Sequence, residues 1–336
     1  MRKRCTGVLA TVAALVTMMP AGIAGQTRDG WTAPRAADGH PDLQGIWASD
    51  SATPLERPEE LGDRATLTDE EVAALEARAA EYAQVGGDAV FGDSVFLQAL
   101  AALEASPDDQ GGDRPPFWSY DNQWMEGRWF ENRTSLIIDP PDGRLPPRLP
   151  APAAAGAPPA SGVESVSDEL ARLDPGVLCR GGRLPMSGRG YNSNFLILQT
   201  PGYVAIEMEM MHDTRLIPIG GPAPPQGGVR QDLGRSRGRW EGETFVVETT
   251  GLARGISGSS PDVRLVERFT RVGPDTLQYD YTVDDPSTWT RPWTARISLR
   301  PAPGTGAIYE YACHEGNYAA ELTLRSTRAA EAAAGR

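Results

Sequence analysis

Three histidines, His40, His212 and His314, are the side chains most readily recruited for proton transfer near neutral pH. Two of them sit beside acids, as His212-Asp213 and His314-Glu315. His314 follows Cys313, and Gly316-Asn317 then turns the chain. If the run ending at Cys313 alternates as a strand, Glu310, Ala312 and His314 share one face while Tyr309, Tyr311 and Cys313 share the other. A histidine at that strand end, oriented by a carboxylate such as Glu315, is a general acid or base. The competing reading is a His–Glu pair that merely caps the strand. Met211-His212-Asp213-Thr214 reads as a hairpin tip flanked by Glu209 and Arg215. On paired strands those two face one another as an ion pair worth under about 1 kcal/mol. Alternatively Glu209 is a second carboxylate in a cavity, its pKa raised by burial.

Metal chemistry is a poor fit. No HxH or HxxxH spacing occurs, so a site would need distant strands to bring His212, His314 and Glu209 or Glu310 together. No metal or cofactor is therefore expected. Lys3 is the only lysine, and it falls in the segment read below as removed. That excludes Schiff-base and pyridoxal phosphate chemistry, the P-loop lysine and a Ser–Lys dyad. There is no GxGxxG, CxxC, HExxH or GxSxG either. Tyr279, Tyr281, Trp289, Trp293, Tyr309 and Tyr311 make the C-terminal third aromatic. With Arg215 as the charged group, Tyr279, Tyr281, Trp293, Tyr309 and Tyr311 line an apolar cavity with polar tips, or else they are core. Glu267 borders a strand, and Asp284-Asp285-Pro286 reads as a turn.

The elements that must position these residues are mostly strands. Gly45-Ile46-Trp47 opens one, in the manner of a tryptophan plugging the bottom of a barrel. Residues 68–84 predict a helix, with Thr68 and Glu71 as a capping box and Val72, Leu75 and Ala79 at helical spacing. A second helical stretch is expected at 94–104, so a helical insert spans about 68–105. Ser135–Asp139 is a short strand before the turn Pro140–Gly143, and a Pro/Ala-rich surface loop covers about 146–161. Then come hairpins: 195–199 with 203–210 and a return at 215–219, 239–240 with 244–249, 263–272 with 276–283, and 294–300 with 307–313. About ten strands without βαβ alternation predict a mainly β fold, an antiparallel meander barrel (lipocalin-like) or a sandwich. One domain is expected over 26–325, with a flexible tail at 326–336 that is a frayed helix or disorder.

The N-terminus reads as an export signal. Basic Met1–Arg4 precedes an apolar run from about Gly7 to Pro20 and small residues through Gly25. The run is about 14 residues, short of the roughly 20 that cross a bilayer, so no stable membrane insertion follows cleavage. Loss of residues 1–25 removes Arg2, Lys3 and Arg4 and takes the formal charge from −13 to −16. So acidic a chain does not suit nucleic acid or an anionic membrane. Cys179 and Cys313 remain, an even count that in an exported chain reads as one disulfide.

The runs SRGRWEGETFVVETTG, LVERFTRVGPDTLQYDYTVDDPSTWTRPWTA and YEYACHEGNY resemble a family of uncharacterised exported bacterial β-rich proteins. The resemblance extends to PDLQGIWAS, RTSLIIDPPDGRLP and EMEMMHDTRLIPI and so covers most of the chain beyond the signal. It implies an exported β-rich domain in which the CHEGN and MHDTR segments recur together. Position 40 departs from the family pattern, which often has arginine before Pro-Asp-Leu. The expectation is a periplasmic or secreted protein that holds a small, partly apolar molecule in a barrel. The rivals are an acid–base lyase, isomerase or hydrolase using His314 with Glu209 or His212, and a structural envelope protein.

Overall fold

The computed structural model describes residues 31–85, 96–97, 99–101, 128–150, 176–180, 184–188, 191–222, 228–302, 304 and 306–333. The predicted signal segment 1–25, most of the second predicted helix and most of the Pro/Ala-rich loop lie outside them.

Alternation decides the architecture. In β3 (Asn194–Gln199) and β4 (Tyr203–Met208) every second residue is buried, and the same holds for β10 (Trp293–Pro301). Strands patterned this way present one apolar face, and curling the sheet closes that face on itself. The remaining strands are β1 (Gly45–Ala48), β2 (Ile137–Asp139), β5 (Asp213–Pro218), β6 (Arg235–Glu241), β7 (Thr244–Thr250), β8 (Arg264–Gly273) and β9 (Thr276–Asp284). Their order is β5-β4-β3-β1-β10-β9-β8-β7-β6, with β2 on the same edge of β10 as β1. The fold is a nearly closed antiparallel barrel, and the sandwich alternative falls away.

Closure has a parity problem. Nine strands, each antiparallel to the next, leave β5 and β6 at the two ends running the same way. A parallel seam between consecutive strands needs a crossover connection, which the loop after Pro218 supplies. Among the described residues the backbone closes the seam only through the parallel bridge Ile219–Gly238 and the bond from Gly220 N to Gly238 O.

Both barrel ends are stoppered. At the lower end, where β3, β8 and β10 finish, Trp47 lies in the core with its Nε1 donating to Leu43 O, and Arg271 stacks on its ring at 4.6 Å. Residues 34–44 lie there, held by Leu43 N to Gln199 Oε1 and by Gln199 Nε2 to Asp38. At the upper end the segment 184–188 lies across the opening, with Leu184 and Met186 in the core. Gly188 passes so close to Ser49 that a Cβ would meet its carbonyl oxygen at 2.3 Å, so only glycine fits.

Helix α1 (Asp69–Val85) starts where the sequence places it. Glu71 N donates to Thr68 Oγ1 and Thr68 N to Glu71 Oε2, the reciprocal capping box. Leu75 packs with Leu61, Leu67, Phe96 and Phe130 in a small second core beside the barrel. The expected strand at 307–313 is absent. The edge of β10 that it needed is already taken by β1 and β2, so the chain leaves the sheet and forms helix α2 (Ala319–Ala333). Residues 326–333, read as a flexible tail that is either a frayed helix or disorder, belong to that helix, in which Thr323 and Thr327 hydroxyls donate to carbonyls four residues back.

Candidate functional site

Between its two stoppered ends the barrel interior holds one charged group among the described residues. From β5, Arg215 points inward and places Nη1 3.0 Å and Nη2 2.6 Å from the two carboxylate oxygens of Glu267 on β8. Nη2 also donates to Ser236 on β6 and Thr249 on β7, whose hydroxyls are 2.8 Å apart. Tyr279 on β9 donates its hydroxyl to Glu267 Oε1 at 2.9 Å and accepts from Met186 N at 3.1 Å. Every charge in this group is buried. Burial is the largest single influence on the Arg215 guanidinium and works to lower its pKa, but attraction and hydrogen bonding to Glu267 outweigh it and leave the pKa raised. Burial, reinforced by the Glu267 charge, pushes the Tyr279 phenol well above its usual range.

An aromatic column flanks this group from end to end. His40 stacks flat on Trp240 at 4.5 Å, and successive contacts of 5.0 to 6.4 Å run through Phe245, Phe269, Tyr279, Tyr281 and Trp293 to Trp289. Tyr279, Tyr281 and Trp293 are thus brought together, all buried. Trp293 Nε1 is itself buried and has no acceptor among the described residues. Tyr309 and Tyr311 do not join them. They lie in the irregular stretch after β10, with Tyr309 exposed.

The titratable residues singled out in the sequence sit on two turns. Glu209, His212 and Asp213 share the turn between β4 and β5 at the upper end, where Met211 (φ 63°) and His212 (φ 55°) both occupy the left-handed region. Two such non-glycine residues in succession store strain that the surroundings must hold. Glu209 is buried and accepts from Asn194 Nδ2 at 2.8 Å, while His212 Nε2 lies 3.1 Å from Glu207. Burial, with the nearby charge of Asp232, raises the Asp213 carboxyl above its ordinary value. Asp232 is bound by Arg180 and Arg254. His314 and Glu315 lie on an exposed turn tied by the Cys179–Cys313 disulfide to the segment 176–180, whose Arg180 holds Asp232. Asn317 adds a second tie, donating to Val177 O. No hydrogen bond or ion pair among the described residues joins His314 to Glu209 or His212.

The expected Glu209–Arg215 pair does not form. Register explains why: Arg215 stands opposite Ile206 on β4 and shares the inward face, whereas Glu209 lies beyond the last paired residue. The carboxylate that Arg215 finds is Glu267. Its signal was legible, because Leu265, Glu267 and Phe269 alternate on one face of β8 and a charge between two core residues demands a partner. Met186, Ser236 and Thr249 carried no such signal. Among the described residues no group of three or more His, Cys, Asp or Glu side chains could hold a metal ion.

Comparison with known proteins leaves this geometry standing by itself. No family model, curated protein or solved structure matches the chain.

Proposed function

We propose that this is an exported protein that captures a small, partly apolar molecule at the upper end of the barrel, in the place occupied by Met186. The observation that carries the reading is the Met186–Tyr279 contact. A residue from outside the sheet fills the barrel end and supplies a hydrogen bond that the Tyr279 hydroxyl accepts there. An uncharged ligand with an apolar body and an N–H or O–H group would replace both the side chain and the donor. Trp293 Nε1, a buried donor without an acceptor among the described residues, supports a polar acceptor on the same ligand. The disulfide and the N-terminal layout support the export half of the reading.

Calorimetric titration with a panel of aryl alcohols and amides tests it. Saturable binding is expected, tighter for Met186→Ala because the competing side chain is gone. Tyr279→Phe removes the acceptor and should weaken binding by about two- to tenfold, the range of one hydrogen bond. If neither the native chain nor folded Met186→Ala binds any member of the panel up to its solubility limit, the reading is wrong. N-terminal sequencing of protein recovered outside the cytoplasm should begin near residue 26.

A further inference from the structure

Around most of the barrel the outward positions carry interlocked charges. Arg239 and Arg268 hold Glu241, Arg264 holds Glu248 and Asp284, and Arg296 holds Asp280. The side formed by β1, β3, β4 and β5 is dressed differently. Cross-strand register puts Leu198, Ala205 and Leu216 in one outward row, and Ile46, Leu196, Glu207 and Thr214 in the next. Tyr203 stands opposite Pro218 on the other side of the first row. Leu198, Tyr203 and Leu216 are 48%, 47% and 63% exposed. Large apolar side chains contiguous over three strands mark a contact surface rather than a solvated one.

We propose that this face is the interface of a two-fold homodimer, meeting the same face of a second copy of the chain. Self-complementarity is what selects the occupant. Ala205 is a small central position flanked across the sheet by Leu198 and Leu216. Along β4 it is flanked at equal distance by a donor, Tyr203, and an acceptor, Glu207, each two residues or about 7 Å away; Glu207 already holds His212 Nε2 at 3.1 Å through Oε1, and a carboxylate has further lone pairs for a second donor. An isologous interface repeats one patch on both subunits, so a single axis must satisfy everything at once. An axis parallel to the strands would lay Glu207 on Glu207 of the other copy, two like charges at the centre of an apolar contact. An axis crossing the strands at Ala205 instead lays Tyr203 of each copy over Glu207 of the other, making two symmetric phenol–carboxylate bonds, and stacks leucine on leucine. Charge therefore picks the crossing axis. The acidic chain opposes association at long range, and salt screens that repulsion over roughly 8 Å at physiological strength, so the dimer should tighten with added salt.

The proposal is independent of the ligand seat and is tested on the disulfide-intact chain by sedimentation velocity across a concentration series. A monomer–dimer equilibrium is expected. Leu216→Glu should raise its dissociation constant by about thirtyfold or more, the scale of a central interface residue. Leu216 points outward, so the variant should keep the native far-UV spectrum and cooperative melting. Val229→Glu, at a site 77% exposed outside this face, should leave association unchanged. A bifunctional maleimide of about 10 Å reach, matched to the spacing of two face-packed sheets, should join Tyr203→Cys/Glu207→Cys into a covalent dimer and leave Tyr203→Cys alone unjoined. A chain monomeric at every concentration overturns the proposal, as does a dimer indifferent to both Leu216→Glu and Leu198→Glu. Efficient cross-linking of Tyr203→Cys alone overturns the axis and with it the complementarity that selected a second copy.

Discussion

Arg215 and Glu267 are the residues on which the barrel interior depends most, because both are charged and neither touches water. Their desolvation is offset by a bidentate pair plus Ser236, Thr249 and Tyr279, and that compensation fails if either partner goes. Glu267→Gln should cost about 3–5 kcal/mol by leaving a guanidinium buried without its counter-charge, whereas Arg215→Met with Glu267→Leu together should cost far less. Urea denaturation of the two single variants and the double variant measures this directly, and additive losses would count against the coupling. Asp213 makes a pH prediction of its own. Its carboxyl is raised in the folded chain, so the folded state binds the proton more tightly than the unfolded one. Stability therefore falls as pH rises from the ordinary carboxylate range through the raised value. Asp213→Asn should remove that fall and leave the variant more stable than the parent at neutral pH, read as a flatter dependence of melting temperature on pH. What the sequence could not give at this scale was partnership. Glu209 and Arg215 are close in sequence and point different ways, while Arg215 and Glu267 are separated by 52 positions and meet.

Local elements were legible wherever the signal was local. The capping box at Thr68 and Glu71 fixed the start of α1, and Thr68→Ala should destabilise the helix by about 1 kcal/mol, seen as faster hydrogen exchange through its first turn. The hairpins joining β3 to β4, β6 to β7 and β8 to β9 followed from Gly and Pro turns between β-branched runs. The strand expected at 307–313 had the same kind of pattern and failed, because strand formation needs a free edge and β1 and β2 had filled it. Periodicity reports what a segment can do, and only topology reports whether a partner is left. That failure also moved His314 from a supposed strand end to an exposed turn held by the Cys179–Cys313 bridge. Cys179→Ser with Cys313→Ser should therefore free the C-terminal segment first, with loss of exchange protection in α2 ahead of the barrel strands.

At the scale of the whole molecule, an odd number of strands decides where the barrel is weakest. Count and spacing of strands were enough to suggest closure, but strand order was not legible in sequence, since β1 lies between β3 and β10. Among the described residues the resulting parallel seam between β5 and β6 has little backbone pairing, and side chains do the fastening. Arg215 reaches from β5 to Ser236 on β6, Thr249 on β7 and Glu267 on β8, spanning the join and three strands beyond it. The buried charge group is then a staple across the gap, which accounts for its position at the seam. Native-state hydrogen exchange separates this from a purely local role. In the parent chain, amides of β5 and β6 should open at lower free energy than those of β8 and β9, whose ladder is paired on both sides. Arg215→Met should speed exchange in β5 and β6 selectively. Uniform acceleration across all strands would mean that Arg215 stabilises the core without closing the barrel.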